Sequence, residues 1–557
     1  MALDEARTKQ LTLLATIMGS GIALLDGTVV NVALPTIQRS LGGGLAGQQW
    51  VSNSYLLTLG SLILIGGSLG DLYGERRIFA MGVIGFGLAS LLCAIAPSIG
   101  FLIAARALQG VASALLTPAS LAVIVRTFPE AERGKAIGSW TAWGTIAGVL
   151  GPLLGGELLA IGSWRLIFLI NLPFVIACAT LIMVVIPRAE PRAPGGRRVD
   201  VPGALLCAGG LGAFVFALIE QPRLGWSGVI VPLIAGVALM GVFFAYESRA
   251  RDPMLRLDLF RHRNFSAGNI ETFSMYAGLS ILFFFLVLFL QQVDGYTPLE
   301  SGLTMLPVTV VMFFLSKRFG ALADRYGPRL FMGAGPLVSA AGLLLFQRVG
   351  AHVEFLTDVL PALFVFSLGL AMTVAPLTAA VLAGVDGSQA GIASGVNNAI
   401  ARVAGLIGTA AVGAVVAASF ASSLDTRLAH VPLGSAGRTA VEQAKKLPLG
   451  LPEAHGLPAA QARALRLAAE QASVHSFHLG LMIAAILLAG GGLAGALGNF
   501  GQAHGLASAL RGDLARARSC GIAAACRRAR PHGQGARTVL HDRCRRSRPA
   551  GTVARCH

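Results

Sequence analysis

Two stretches of the chain, 253 residues apart, repeat one another: Gly67-Ser-Leu-Gly-Asp71-Leu-Tyr-Gly74-Glu-Arg76-Arg77 and Gly320-Ala-Leu-Ala-Asp324-Arg-Tyr-Gly327-Pro-Arg329-Leu, with six of eleven positions identical. Each follows one long apolar run and precedes another, so each reads as a tight, charged turn between two helices on the same side of a bilayer. The chain is therefore expected to hold two related halves, a duplication common among membrane proteins that work by rocking one half against the other.

The apolar runs set the class. Hydrophobic residues make up 54% of the 557 and charged residues only 13%, which excludes an ordinary soluble globule. Charge gathers between windows of about 20 residues, the length that crosses a hydrocarbon core of about 30 Å. Backbone groups in lipid must be satisfied internally, so these windows are expected to be helices. Fourteen are legible, from 11–35 to 476–498, with 203–220 short and Gly-rich. The expected fold is all-α and polytopic. A six-helix half occupies 1–187, two extra helices with flanking loops occupy 188–263, and a second six-helix half occupies 264–500 with a long external loop over about 421–474, in which Ala459 to Ser473 has helical spacing. Each copy of the repeated turn then joins the second and third helix of its half.

The net charge of +17 reads as topology rather than as affinity for nucleic acid. With a cytoplasmic N-terminus, the short inside loops carry eighteen Lys or Arg and the short outside loops three, Arg39, Arg165 and Arg223. The positive-inside rule then places both termini and both repeated turns in the cytoplasm. Residues 1–10 are charged and the first apolar segment is long, which points to an uncleaved anchor. Residues 501–557 hold twelve arginines, no lysine and four cysteines without apolar periodicity. They read as a disordered basic tail, either binding anionic lipid or nucleic acid or, on the favoured reading, arising from out-of-frame translation.

Polar residues inside spans are costly and point to function. Asp26 lies about 22 Å along the first span and Arg106, on a helix running the other way, about 12 Å from the opposite edge, which brings them to similar depth. An ionised acid there costs about 3 kcal/mol, and it can exchange a proton wherever a water path reaches it. A switchable Asp26–Arg106 pair is geometrically possible, with a permanent structural ion pair as the alternative. Asn31, Gln109, Glu271, Asn397, Asn398 and Arg402 are the further polar candidates for a substrate cavity. Glu271 suits a cationic substrate or a second proton, or snorkels to the interface. The fifth span carries Gly148, Gly151, Pro152, Gly155 and Gly156, small residues that permit close helix contact and a kink. In the repeated turns Gly67, Gly74, Gly320 and Gly327 allow sharp bends. Asp71 and Asp324 sit where an acid can hold a neighbouring helix terminus, with Arg76, Arg77 and Arg329 toward the cytoplasm. Literal matches to a nucleophile elbow (Gly66 to Gly70) and a dinucleotide fingerprint (Gly42 to Gly47) lack the strand context those motifs need. No metal-ligand spacing or Walker sequence appears, so enzyme chemistry is not expected.

Several motifs occur in order: Leu25-Asp26-Gly-Thr28-Val-Val-Asn31-Val-Ala-Leu-Pro35, then Arg106-Ala-Leu-Gln109-Gly110, then Gly151-Pro152-Leu-Leu-Gly155-Gly156, then Trp164-Arg165-Leu-Ile-Phe168-Leu-Ile-Asn171-Leu-Pro173. In these the chain resembles the fourteen-helix drug:proton antiporter group of the major facilitator superfamily over roughly residues 10–500. The resemblance implies alternating access between two six-helix bundles in a bacterial inner membrane, with the proton gradient as the energy source and no cofactor. It also implies export of small amphipathic compounds, cations among the candidates, and a monomer as a sufficient unit. Export of one endogenous metabolite, or a non-transporting sensor on the same fold, are the alternatives. Leu166 and Asp294 depart from the group's usual residues and leave the substrate range open.

Overall fold

The computed structural model describes residues 5–187, 199–383, 390–452 and 456–498; the basic tail lies outside them. Helices α1 (Glu5–Leu41), α2 (Gly44–Tyr73), α3 (Glu75–Ala94), α4 (Ile99–Thr127) and α5 (Glu130–Ile161) are followed by a sixth crossing in two pieces, α6 (Leu166–Leu169) and α7 (Asn171–Val185). Next comes α8 (Val201–Glu247). The second half repeats the scheme with α9 (Arg263–Gln292), α10 (Pro298–Leu303) and α11 (Leu306–Tyr326), α12 (Pro328–Leu345), α13 (Leu360–Ala383), α14 (Ala390–Leu428), α15 (Ser435–Lys445) and α16 (Ala459–Leu497).

Thirteen helical stretches among the described residues are long and apolar enough to cross a membrane, and one of them counts twice. As a straight rod the 47 residues of α8 would run to about 70 Å, more than two hydrocarbon cores. Gly225, at φ 67° and ψ 176°, breaks the rod in a conformation that favours glycine. The arms fold back on each other, and a Cβ placed on Gly236 would lie 2.5 Å from the Phe214 nitrogen. The result is fourteen crossings, with 203–220 forming much of the first arm of this hairpin.

The repeated turns are one-residue joints. Gly74 separates α2 from α3 at φ 90°, and Gly327 separates α11 from α12 at φ 88°. A side chain is strained at either position, which explains why glycine stands at both copies.

The segment read from sequence as a loop over 421–474 is largely helical. α14 runs on to Leu428, α15 follows, and α16 begins at Ala459. Phe420, Leu424, Val441, Leu465 and Ala469 close a small apolar core of their own. The helical spacing of Ala459 to Ser473 is the start of α16, while the extension of α14 and the short amphipathic α15 lie outside any apolar window of crossing length and so do not stand out in the sequence.

The halves meet along α2 and α14, from Gln49 beside Gly413 to Leu64 beside Gly395. At the end away from the repeated turns they also join through α1, α5, α9 and α10. There Gln291 Nε2 donates to the Val32 carbonyl at 2.9 Å, Leu299 abuts Gly156, and Gly302 abuts Pro152.

Candidate functional site

Five helices of the first half converge on Asp26. Its side chain is fully buried on α1, and Arg106 on α4 is 1% exposed. Arg106 Nη1 donates to Asp26 Oδ2 and to Gln109 Oε1 at 2.6 Å, while its Nε donates to the Val51 carbonyl on α2 at 3.1 Å. Gln109 lies one turn from Arg106 and so shares its helix face. Its Nε2 donates to Asp26 Oδ1 at 3.0 Å. Asn171, the first residue of α7, donates to the same oxygen at 3.1 Å. Ser90 Oγ of α3 accepts from Gln109 at 2.8 Å and from Asn171 at 3.0 Å. The guanidinium lies over the Tyr55 ring, 4.5 Å from its centroid, and Tyr55 Oη meets Ser113 Oγ at 2.9 Å.

A buried ion pair survives in such a place only when further hydrogen bonds fill the remaining positions on both ions. Here both carboxylate oxygens and two guanidinium nitrogens are occupied. Any change of charge on Asp26 alters the hold on Arg106, Gln109 and Asn171 together, and so couples four helices. Sequence reasoning brought Asp26 and Arg106 to one depth but missed Asn171, Ser90 and Tyr55. The only signal was Asn171 itself, an amide at the start of an apolar helix.

The other residues expected at a cavity divide. Asn31 and Thr28 on α1 border a cleft between the halves, with Gly148 and Pro152 of α5, Phe283 of α9 and Met305 opposite. Asn398 is exposed and Arg402 partly exposed on α14. Gln109 is fully buried in the Asp26 cluster, so it does not line the cleft. Asn397 Oδ1 accepts from Thr272 at 2.7 Å, tying α14 to α9. Glu271 is also fully buried, with neither carboxyl oxygen hydrogen-bonded, and neither borders the cleft nor snorkels to an interface. It faces α16, where a Cβ on Gly495 would collide with Oε2.

The α5 glycines also divide by face. A Cβ on Gly151 would strike Thr28 Oγ1, and one on Gly155 would lie 2.7 Å from Val29 Cγ2, so these two let α5 press on α1. Gly156 and Pro152 meet α10 across the halves. A Cβ on Gly148 meets nothing within 4 Å, in keeping with its place on the cleft.

At the repeated turns Asp71, Asp324 and Arg77 are exposed. It is the arginines that reach across. Arg76 Nη2 donates to the Met183 carbonyl near the end of α7 at 2.7 Å. Arg329 Nε donates to the Ala496 carbonyl near the end of α16 at 2.7 Å.

This geometry agrees with comparisons to known proteins. The Major Facilitator Superfamily model matches residues 16–409. The chain is 36% identical over 425 residues to the multidrug resistance protein Stp of Mycobacterium tuberculosis, covering 76% of this chain and 78% of that protein. It is 38% identical over 409 residues to a puromycin resistance protein of Streptomyces alboniger, covering 72% and 81%. It is 33% identical over 469 residues to a tetracenomycin C resistance and export protein of Streptomyces glaucescens, covering 82% and 85%. Among solved structures, a bacterial homolog of the human lysosomal transporter Spinster, inward-facing and unoccupied, superposes with a TM-score of 0.60 at 17% identity, over 87% of this chain and 97% of that one. A fourteen-crossing helical fold, a polar cluster buried in one half and a cleft between two halves are thus the parts of a membrane transporter rather than an enzyme, and the chain belongs to the Major Facilitator Superfamily.

Proposed function

We propose that this protein exports amphipathic small molecules from a bacterial cell across the inner membrane, in exchange for protons, by alternating access. The observation that carries the reading is the Asp26–Arg106 pair with its Gln109 and Asn171 donors. A proton arriving on Asp26 cancels the charge that holds Arg106, and the four helices tied to it are freed to rearrange. Intramembrane acids that pair with a base characteristically serve such relays. The resistance and export proteins among the relatives support the outward direction.

With both termini and both repeated turns in the cytoplasm, as the distribution of Lys and Arg suggests, the joined end of the halves is external and the cleft opens inward. A proton gradient supplies the energy and no cofactor is needed. A single chain carries all of these parts.

The test is a drug-susceptibility panel in a bacterial host lacking its own pumps, comparing wild type with Asp26→Asn. Resistance from the wild type that disappears with Asp26→Asn, and with dissipation of the proton gradient, supports the reading. Uptake instead of export, or export indifferent to the gradient, overturns it.

A further inference from the structure

The two acids at membrane depth were the basis for expecting a cationic substrate, yet neither meets the cleft. Asp26 is fully enclosed and neutralised by Arg106, and Glu271 is fully enclosed against α16. A charge left partly exposed beside the seam of the halves is positive. Arg402 is partly exposed, and no ion pair or hydrogen bond engages its guanidinium among the described residues.

Its position follows from the faces of α14. Val403 and Ile407 pack against the α8 hairpin, and Asn397 and Gly405 face Thr272 and Ser280 of α9. Arg402 and Asn398, four residues apart, form the stripe between those two faces. The Arg402 Cβ rests against Gly60 of α2, so the stripe lies beside the seam of the halves, on the side away from the hairpin. Arg402 is about 10 Å along the helix from Thr409, where Asn53 closes the seam with a 2.9 Å hydrogen bond. An arginine fork beside an exposed amide, whose nitrogen spends one hydrogen on the Ser394 carbonyl at 3.0 Å and keeps another, is the chemistry that takes a planar oxyanion in two parallel hydrogen bonds.

We propose that Arg402 binds the acidic group of the substrate, so that the exported compounds include amphipathic carboxylates. The inference rests on the export reading and specifies its substrate class; Asn398 supplies a second donor.

The test uses two fluorescent probes, fluorescein as a carboxylate anion and ethidium as a cation. Binding is measured by anisotropy on the purified full-length protein and transport in inverted membrane vesicles. In Arg402→Gln, fluorescein binding weakens roughly 10-fold or more while ethidium binding tightens. Arg402→Lys, which keeps the charge without the fork, falls between. Thermal unfolding of each variant separates lost recognition from lost folding. Equal weakening for both probes in a stably folded Arg402→Gln, unchanged fluorescein binding, or a wild type that takes ethidium but not fluorescein would each overturn the proposal. Fluorescein binding that depends on Arg402 in a protein that transports neither probe would keep the Arg402 binding role and sink the export reading instead.

Discussion

Arg76 donates to the Met183 carbonyl at 2.7 Å and so ties the turn after the second helix to the end of the last helix of its half. Arg329 makes the same reach to Ala496 in the other half. A guanidinium at a helix C-terminus answers carbonyls that have no partner within the helix and the negative end of the dipole. Each contact should be worth about 1 kcal/mol. Arg76→Ala and Arg329→Ala are expected to lower the unfolding temperature of the purified protein by similar small amounts. The double variant should show their sum, since the sites lie in different halves. Thermal unfolding in detergent checks this, and marked non-additivity would count against two independent clamps.

The Asp26 cluster makes a sharper prediction. Removing one partner of a buried ion pair leaves the other uncompensated, at a cost of about 3–5 kcal/mol. Arg106→Gln should therefore be unstable and inactive. Asp26→Asn combined with Arg106→Gln should regain much of the stability without regaining export. A double variant no more stable than Arg106→Gln alone would mean that the pair does not hold the helices in this way.

The α5 glycines should separate by face. Gly155→Ala pushes a methyl against Val29 and is expected to cost about 1–3 kcal/mol, seen as lower yield and unfolding temperature. Gly148→Ala, with nothing within 4 Å, should fold as well as the wild type. Equal losses from the two would disprove the assignment of faces.

Gly156 lies so close to α10 that a Cβ there would collide with the Leu299 Cα. Gly156→Ala is therefore expected to prise the halves apart at their joined end, seen as a lower unfolding temperature and lower yield, whereas Leu299→Ala should be milder. A Gly156→Ala protein as stable as the wild type would mean that the halves do not meet this closely.

Asp294 lies just past α9, and burial pushes its carboxyl above the usual carboxylate range, opposed by the Val353 amide. The sign follows from the raised value in the folded state. The charged form is disfavoured by folding, so the stability this group contributes is complete below the ordinary carboxylate value, is lost as pH rises from there to the raised folded-state value, and is level above it. Asp294→Asn should flatten that part of the stability profile and leave neutral-pH stability equal or slightly higher. A steeper profile would reverse the assigned cause.

Most of the architecture was legible because lipid forbids nearly every alternative to helix, so length and charge alone marked the crossings. The repeated turn was legible for a local reason. Gly74 and Gly327 share a backbone conformation that few other residues tolerate. Depth along a helix is also readable, which brought Asp26 and Arg106 to one level. Azimuth is not, since it depends on which neighbours a helix acquires. Gln109 and Glu271 were therefore expected at the cavity and instead are enclosed, while Asn171, legible only as an amide at the start of an apolar helix, and Ser90 join the cluster. The start of α16 was legible as helical spacing, but the extension of α14 and the short α15 were not, because only windows long enough to cross the bilayer stand out by composition.

The seam between α2 and α14 reaches nearly from end to end of the crossings, from Gln49–Gly413 to Leu64–Gly395, whereas α1, α5, α9 and α10 touch their opposite half at one end alone. In the proposed cycle the halves roll about this seam, and the contacts near Gly156 and Gln291 part together with the apolar packing of α1 against α9 beneath them. The pace of such a cycle is then set by how readily that one rim of the molecule opens.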